Sequence, residues 1–369
     1  MKKLNLFTPI SSLGYGVVGL NLLKSLSVDT EIALFLIGNL EGTEEEVGLA
    51  KEAMARGDIF EDFSDAPSLK VWHEFALAER IGGGPSFAFP FFEINTLDKR
   101  RINHLLSVDG VLVASEWAKN VIKNHAYLPP LISVVPLGVD LSIFTPGPHE
   151  TTENCVFLNC GKWEKRKGHD VLLEMFKTAF PDENDVELWM MSSNPFLSEE
   201  TGLAKFRHEW ERYYRSDSRV RLLDRVPTHH EVAQVMASAN CGIFPSRAEG
   251  WNLELLEMMS MGKHVIATNY SAHTEFCNDQ NASLIEIEDL EKAEDGIFFD
   301  GAVGEWASLE GAPFDQAVEH MRSFYEYWKS DREQQYNMEG VETAKQLTWT
   351  KTASRIKETI YGNQDTSSV

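Results

Sequence analysis

The chain has 369 residues with 43% hydrophobic and 11% aromatic content, which is ample for packed cores and longer than one ordinary domain. A formal net charge of −23 repels phosphate polymers and excludes nucleic acid as a general partner. No apolar run approaches the ~20 residues of a membrane span, and the four cysteines form no metal-ligand or disulfide pattern. The start "MKKLNLFTPI" lacks the apolar core and cleavage site of a signal peptide, so a cytoplasmic location is expected, at most peripheral to a membrane.

The first expected strand is "KKLNLF". Beyond it lies Gly14-x-Gly16-x-x-Gly19, the spacing of a dinucleotide-binding turn. Six residues, "TPISSL", separate that strand from Gly14, and a dinucleotide turn has no room for them. The next acids, Asp29 and Glu31, also come sooner than the ~20-residue offset of a ribose-binding carboxylate. The loop therefore reads as the glycine-rich turn of another nucleotide-using α/β protein rather than an NAD site.

Strand-like runs then alternate with helical patterns, as in parallel α/β sheets. "EIALFLI", "LKVW", "SFAFP", "GVLVA" and "ISVVP" complete a first series, with Ser115 as N-cap of the helix "SEWAKNVIKN". The Pro- and Gly-rich "VVPLGVDLSIFTPGPHETTEN" reads as a linker. A second series follows: "CVFLNC", "DVELWMM", "RVRLL", "CGIF" and "KHVIAT". Thr228 and Glu231 make a capping box for "THHEVAQVMASA". "EIEDLEKAED" reads as an acidic solvated surface, and the tail "NQDTSSV" is the one low-complexity segment. The domains are expected at 1–145 and 146–346.

Two constellations carry chemistry. In "NCGKWEKRKGHD", Lys162, Lys165, Arg166 and Lys167 follow a strand, within a half whose net charge is −16. Cations on a short loop at a strand's C-terminal end suit a pyrophosphate. Not all four can point inward, and Lys165 and Arg166 are assigned to the surface. In "CGIFPSRAEGWNLELLEMMSMGKHVIAT", Asn252 caps a helix whose free N–H groups and dipole make an anion site. Glu249 precedes that helix and Glu257 lies within it among apolar neighbours, so a buried partner for Glu257 is expected.

These two segments resemble the C-terminal domain of the family 4 retaining glycosyltransferases, with Glu249 and Glu257 as the E-x7-E element. The resemblance is strong over residues 108–275 and near 347–357, and weak over 40–107. It implies a GT-B fold: two Rossmann-like α/β domains facing each other across a cleft, with a closing helix near 347–362 returning to the first. It further implies Lys162 and Lys167 on the donor diphosphate, Glu257 on the ribose and Glu249 at the transferred sugar. The amides of Gly250, Trp251, Asn252 and Leu253 would take sugar and phosphate oxygens, and Gly14 and Gly16 would approach the donor. Two departures stand out. Asn252 replaces a frequent glycine, and Glu93, with His73 nearby, stands where many members have an acceptor-side histidine.

The implied activity is transfer of a sugar from a nucleoside-diphosphate sugar to a hydroxyl acceptor (a glycan, a lipid-linked sugar or a small molecule) with retention and no cofactor. No Asp-x-Asp occurs, so no metal is expected at the diphosphate. A sugar-nucleotide epimerase and a non-catalytic nucleotide-sugar-binding protein are the alternatives.

Overall fold

The computed structural model describes residues 1–58, 62–147, 153–330 and 336–362. Linker residues 148–152 and the tail 363–369 lie outside them. The chain divides into two units, Met1–Val139 with Leu347–Val369, and Asp140–Gln346, so the break falls at Asp140 against the 145/146 read from the sequence.

In chain order the first unit contains β1 (Lys2–Ile10), α1 (Gly14–Leu26), β2 (Thr30–Leu40), α2 (Glu44–Gly57), β3 (Ser68–Lys70), β4 (Ser86–Ala88), α3 (Lys99–Leu105), β5 (Gly110–Val113), α4 (Glu116–Lys123) and β6 (Ile132–Val134). The strands form one parallel sheet in the order β2-β1-β3-β4-β5-β6. β5 is a continuous apolar run, as expected of a strand buried on both faces of a parallel sheet, and β1 is buried at Leu4–Leu6 and Thr8–Ile10. Ser115 accepts the Ala118 N–H at 3.1 Å and starts α4.

β1 runs three residues further than the sequence reading allowed. Its register shifts between Thr8 and Ile10, so Pro9 sits at a bulge where its missing N–H costs no ladder bond. Only Ser11, Ser12 and Leu13 then separate the strand from Gly14, which removes the loop-length argument against a dinucleotide turn.

The second unit contains β7 (Cys155–Cys160), α5 (Leu172–Ala179), β8 (Val186–Met191), α6 (Ala204–Tyr214), β9 (Val220–Leu222), α7 (His229–Ala237), β10 (Cys241–Phe244), α8 (Leu253–Ser260), β11 (His264–Thr268), β12 (Ser283–Ile285), β13 (Leu290–Glu294), β14 (Asp300–Ala307), α9 (Ala312–Ser330) and α10 (Met338–Gln346). Its sheet is again parallel, in the order β12-β11-β10-β7-β8-β9. Phe157, Leu188, Ile243 and Ile266 of the strands pack with Phe176, Phe180 and Trp328 of the helices into one core. Thr228 and Glu231 form the capping box of α7. The acidic "EIEDLEKAED" is not a bare solvated surface: it supplies β13, antiparallel to β14, with Ala293 and Trp306 buried.

The last helix, α11 (Trp349–Tyr361), belongs to the first unit. Thr352 donates to the Pro136 carbonyl at 2.8 Å, Tyr361 to the Lys3 carbonyl at 2.9 Å, and Lys357 pairs with Asp29 at 2.6 Å.

Candidate functional site

In an open parallel sheet, ligands collect at the C-terminal strand ends where the chain reverses direction across the sheet. In the second unit that point lies between β7 and β10, the strands followed by the two constellations. A 3-10 turn over Lys165–Lys167 follows β7, and the Pro245–Trp251 loop follows β10. The Arg247 N–H donates to the Arg166 carbonyl at 2.6 Å, which ties the two loops together.

An alternating chain of charges crosses this point. Lys162 Nζ lies 2.8 Å from Glu164 Oε1, and Arg166 reaches Glu164 Oε2 at 2.7 Å. Arg166 also reaches Glu249 Oε2 at 2.8 Å, and Lys167 Nζ lies 2.9 Å from Glu249 Oε1. Three cations thus share two carboxylates. Burial pushes the Glu164 carboxyl up, but Arg166 and Lys162 outweigh it and hold it at about 2. Burial also opposes ionisation of Glu249, yet Arg166 and Lys167 hold it well below the usual range.

The cation placement differs from the sequence reading in one respect. Arg166, assigned to the surface, is only 4% exposed and sits at the centre of the chain, whereas Lys165 is half-exposed and donates to the Glu294 carbonyl. Lys162 and Lys167 are brought to the same chain but onto different carboxylates. Gly161 lets the Lys167 stem lie against the turn: its φ is 134°, and a Cβ there would come within 2.8 Å of Lys167 Cε.

Glu249 is fixed from several sides. Ser246 donates to Oε1 at 2.8 Å, and the Glu249 N–H donates to Ser271 Oγ at 2.8 Å. After it come the buried residues Gly250, Trp251, Asn252 and Leu253, whose N–H groups find no acceptor among the described residues. Trp251 Nε1 is likewise buried without a partner. Buried backbone donors are nearly always satisfied, so this row of amides at the positive end of α8 is equipped to take an anion.

Asn252 occupies backbone that suits glycine. Its φ is 90°, a region that glycine enters freely and asparagine tolerates. Its Oδ1 accepts the Leu255 N–H at 3.1 Å and its Nδ2 donates to His273 Nε2 at 2.9 Å. His273 Nδ1 then donates to the Thr268 carbonyl at 3.0 Å, which fixes the tautomer. Burial lowers the His273 pKa to about 4 and that of His169 to about 3. His169 orders the basic turn: its Nδ1 accepts the Glu164 N–H and its Nε2 meets Asn159 Oδ1 at 2.8 Å.

Glu257, expected to have a partner, has none among the described residues. It is buried on α8, and burial, reinforced by Glu254, raises its carboxyl well above the usual range. A buried carboxyl with both oxygens uncommitted among the described residues is equipped to meet hydroxyl groups.

Sequence reasoning missed Glu164, Arg166, Ser246, Ser271 and His273. It also missed Arg247, which is bidentate to Asp170 at 2.6 and 2.8 Å and bonded to Glu291 of β13 at 2.7 Å. Two acids placed opposite an arginine of the loop were the available signal.

In the first unit the chain reverses between β1 and β3. Gly14 opens α1, where a Cβ would meet nothing; at Gly16 a Cβ would clash with Ser11 at 2.3 Å, so the residue allows the helix to close on the strand. Between them Tyr15 packs on Trp72 at 5.3 Å, His73 at 4.8 Å and Phe91 at 5.1 Å between ring centroids. Its hydroxyl exchanges hydrogen bonds with the Phe91 backbone, two residues before Glu93. Loops following β3 and β4 thus bring His73 and Glu93 to the surroundings of one tyrosine.

Two parallel sheets flanked by helices, each with such a reversal point, define the GT-B class of fold. Sucrose-phosphate synthase from Thermosynechococcus elongatus shares it at TM-score 0.68 with 14% identity, each chain covered in full. Anabaena HepE in complex with UDP and glucose shares it at TM-score 0.64 with 13% identity, over 97% of this chain and 99% of that one. Residues 154–298 match the model of the family described as glycosyl transferases group 1, in line with the family 4 resemblance of the motifs. One component of the human phosphatidylinositol N-acetylglucosaminyltransferase is 26% identical over 51% of this chain, and an MMP α-(1→4)-mannosyltransferase of Mycolicibacterium hassiacum is 26% identical over 50%. The matches span 39% and 41% of those two proteins.

Proposed function

We propose that the protein is a retaining glycosyltransferase that moves a sugar from a nucleoside-diphosphate sugar to a hydroxyl acceptor without a metal. One observation carries this reading: the uncommitted amides of Gly250–Leu253 follow directly on Glu249, which is paired to Lys167, at the reversal point of the second sheet. That arrangement suits a diphosphate. Glu257, further along the same helix, suits ribose hydroxyls, and Glu249 would meet the transferred sugar.

The chemistry follows from these positions. The bond from the anomeric carbon to the diphosphate oxygen breaks, and an oxocarbenium-like sugar forms. Charge accumulates on the phosphate oxygens, where Lys167, the surplus positive charge of the ion chain and the fixed amides stabilise it without reorganising. The acceptor oxygen bonds to the anomeric carbon on the same face, and its proton passes to a leaving phosphate oxygen. Retention rests on the family resemblance.

HepE is described with UDP and glucose, so UDP is the first nucleotide to test, beside GDP and ADP. Calorimetry is expected to find one tight nucleoside diphosphate, and release of it from its sugar donor should persist in EDTA. No binding of any of the three would overturn the reading.

A further inference from the structure

A second cavity, of about 390 Å³, lies wholly within the first unit. Lys70, the last residue of β3, points a nearly buried ammonium into it, 4.9 Å above the Phe7 ring. The carboxylate facing it is Glu79, 3.3 Å away on a side chain that is 70% exposed. Arg100, in the first turn of α3, lays its guanidinium over the Phe75 ring at 5.6 Å and has no carboxylate partner among the described residues. His104 sits one turn further along the same helix face. Its Nδ1 accepts the Leu77 N–H at 3.2 Å, which leaves Nε2 as the ring's donor. Trp72 and Phe75 supply aromatic walls, and Phe75 stacks on His73 at 5.0 Å.

A nearly buried ammonium, an exposed guanidinium and an imidazole donor thus face one solvated carboxylate, in a unit that is itself acidic. A guanidinium fork beside an ammonium matches a phosphate. The half-buried Trp72 indole in the lining matches the face of a sugar or cyclitol ring. We infer that this cavity binds a ring-bearing phosphomonoester, and that this is the acceptor class of the transfer. The role as acceptor rests on the transferase reading; the binding does not. Glu79 competes with the ligand for Lys70, so neutralising it should help rather than harm.

The test is calorimetry on the full chain without any donor, using glucose 6-phosphate, glucose and inorganic phosphate as separate probes. Vesicles of phosphatidylcholine with and without phosphatidylinositol 4-phosphate form a second arm. Glucose 6-phosphate should bind more tightly than glucose or phosphate alone. Arg100→Ala, at an exposed position, should weaken it about tenfold or more, as loss of a charge-assisted hydrogen bond does. Glu79→Gln should tighten it. Binding confined to the phosphoinositide vesicles, and weakened by Arg100→Ala, would also support the site and assign its ligand to a lipid headgroup. Equal affinity for glucose and glucose 6-phosphate, binding indifferent to Arg100→Ala, or no binding of any probe would overturn it. Nucleoside diphosphate affinity read on the same sample separates this failure from failure of the transferase reading.

Discussion

Lys167 Nζ and Glu249 Oε1 meet at 2.9 Å across 82 residues of sequence, both buried, and join the two loops at the reversal point of the second sheet. Removing one partner of a buried ion pair leaves the other uncompensated and costs roughly 3–5 kcal/mol. Arg166 remains on Glu249 when Lys167 is lost, so Lys167→Ala should fall near about 3 kcal/mol. Glu249→Gln leaves two cations facing a neutral amide and should cost more. Urea unfolding of both single variants and the double variant measures the coupling. Strictly additive costs would show that the pair is not coupled. Lys167→Ala should also weaken nucleoside diphosphate binding by on the order of tenfold.

Glu257 should separate stability from binding. Its carboxyl pKa is raised in the folded chain by burial and by Glu254. A raised pKa means stability is fully present below about 4.5, the value for an unfolded glutamate, and is lost as pH rises through the folded value. Glu257→Gln removes that loss. Its melting temperature should exceed the parent's by a margin that grows from pH 5 to pH 8, while its nucleoside diphosphate affinity falls. A variant that is less stable at pH 8 would show that Glu257 has a structural partner.

The parts legible in the sequence were those decided locally. Continuous apolar runs marked the parallel strands, and Ser115, Thr228 and Asn252 marked helix starts because a cap acts within three residues. The ion chain was not legible, because it closes only when Arg166 meets Glu249, 83 residues away, and nothing in "KWEKRKG" distinguishes Arg166 from its neighbours. The end of β1 was misread because Pro9 looks like a strand breaker; the bulge that accommodates it is a property of the pairing with β2. Glu291 looked like solvated charge because its partner, Arg247, lies on a different loop.

Asn252 gives a test of backbone geometry. With φ at 90°, an alanine there would be strained and would also lose the cap to Leu255. Glycine adopts the same φ freely. Asn252→Gly loses the cap and the buried bond to His273 and should cost about 1–2 kcal/mol, while Asn252→Ala adds the backbone strain and should cost about 1 kcal/mol more. Equal losses in thermal melts would show that the side-chain bonds, rather than the backbone, decide the residue at this position.

Acid sensitivity should come from the two buried histidines before the carboxylates. Burial lowers His169 to about 3, with Lys167 adding to it, and lowers His273 to about 4. An unfolded histidine takes up its proton near 6.5, so between that value and the folded one the unfolded state binds more protons. Stability is complete above pH 6.5 and falls as pH drops toward 4, by up to about 1.4 kcal/mol per pH unit for each ring. Glu164, held at about 2, adds to the loss only below about 4.5, where the unfolded carboxylate begins to protonate. Glu257 works in the opposite direction over part of this range, so the measurement belongs in the Glu257→Gln background. There, unfolding free energy from urea titrations at pH 7, 6, 5.5 and 5 should fall with a slope approaching two protons. His273→Gln should reduce that slope by about one proton. An unchanged slope would mean that His273 is already charged in the fold, and the hydrogen bond it accepts from Asn252 would then have to be reassigned.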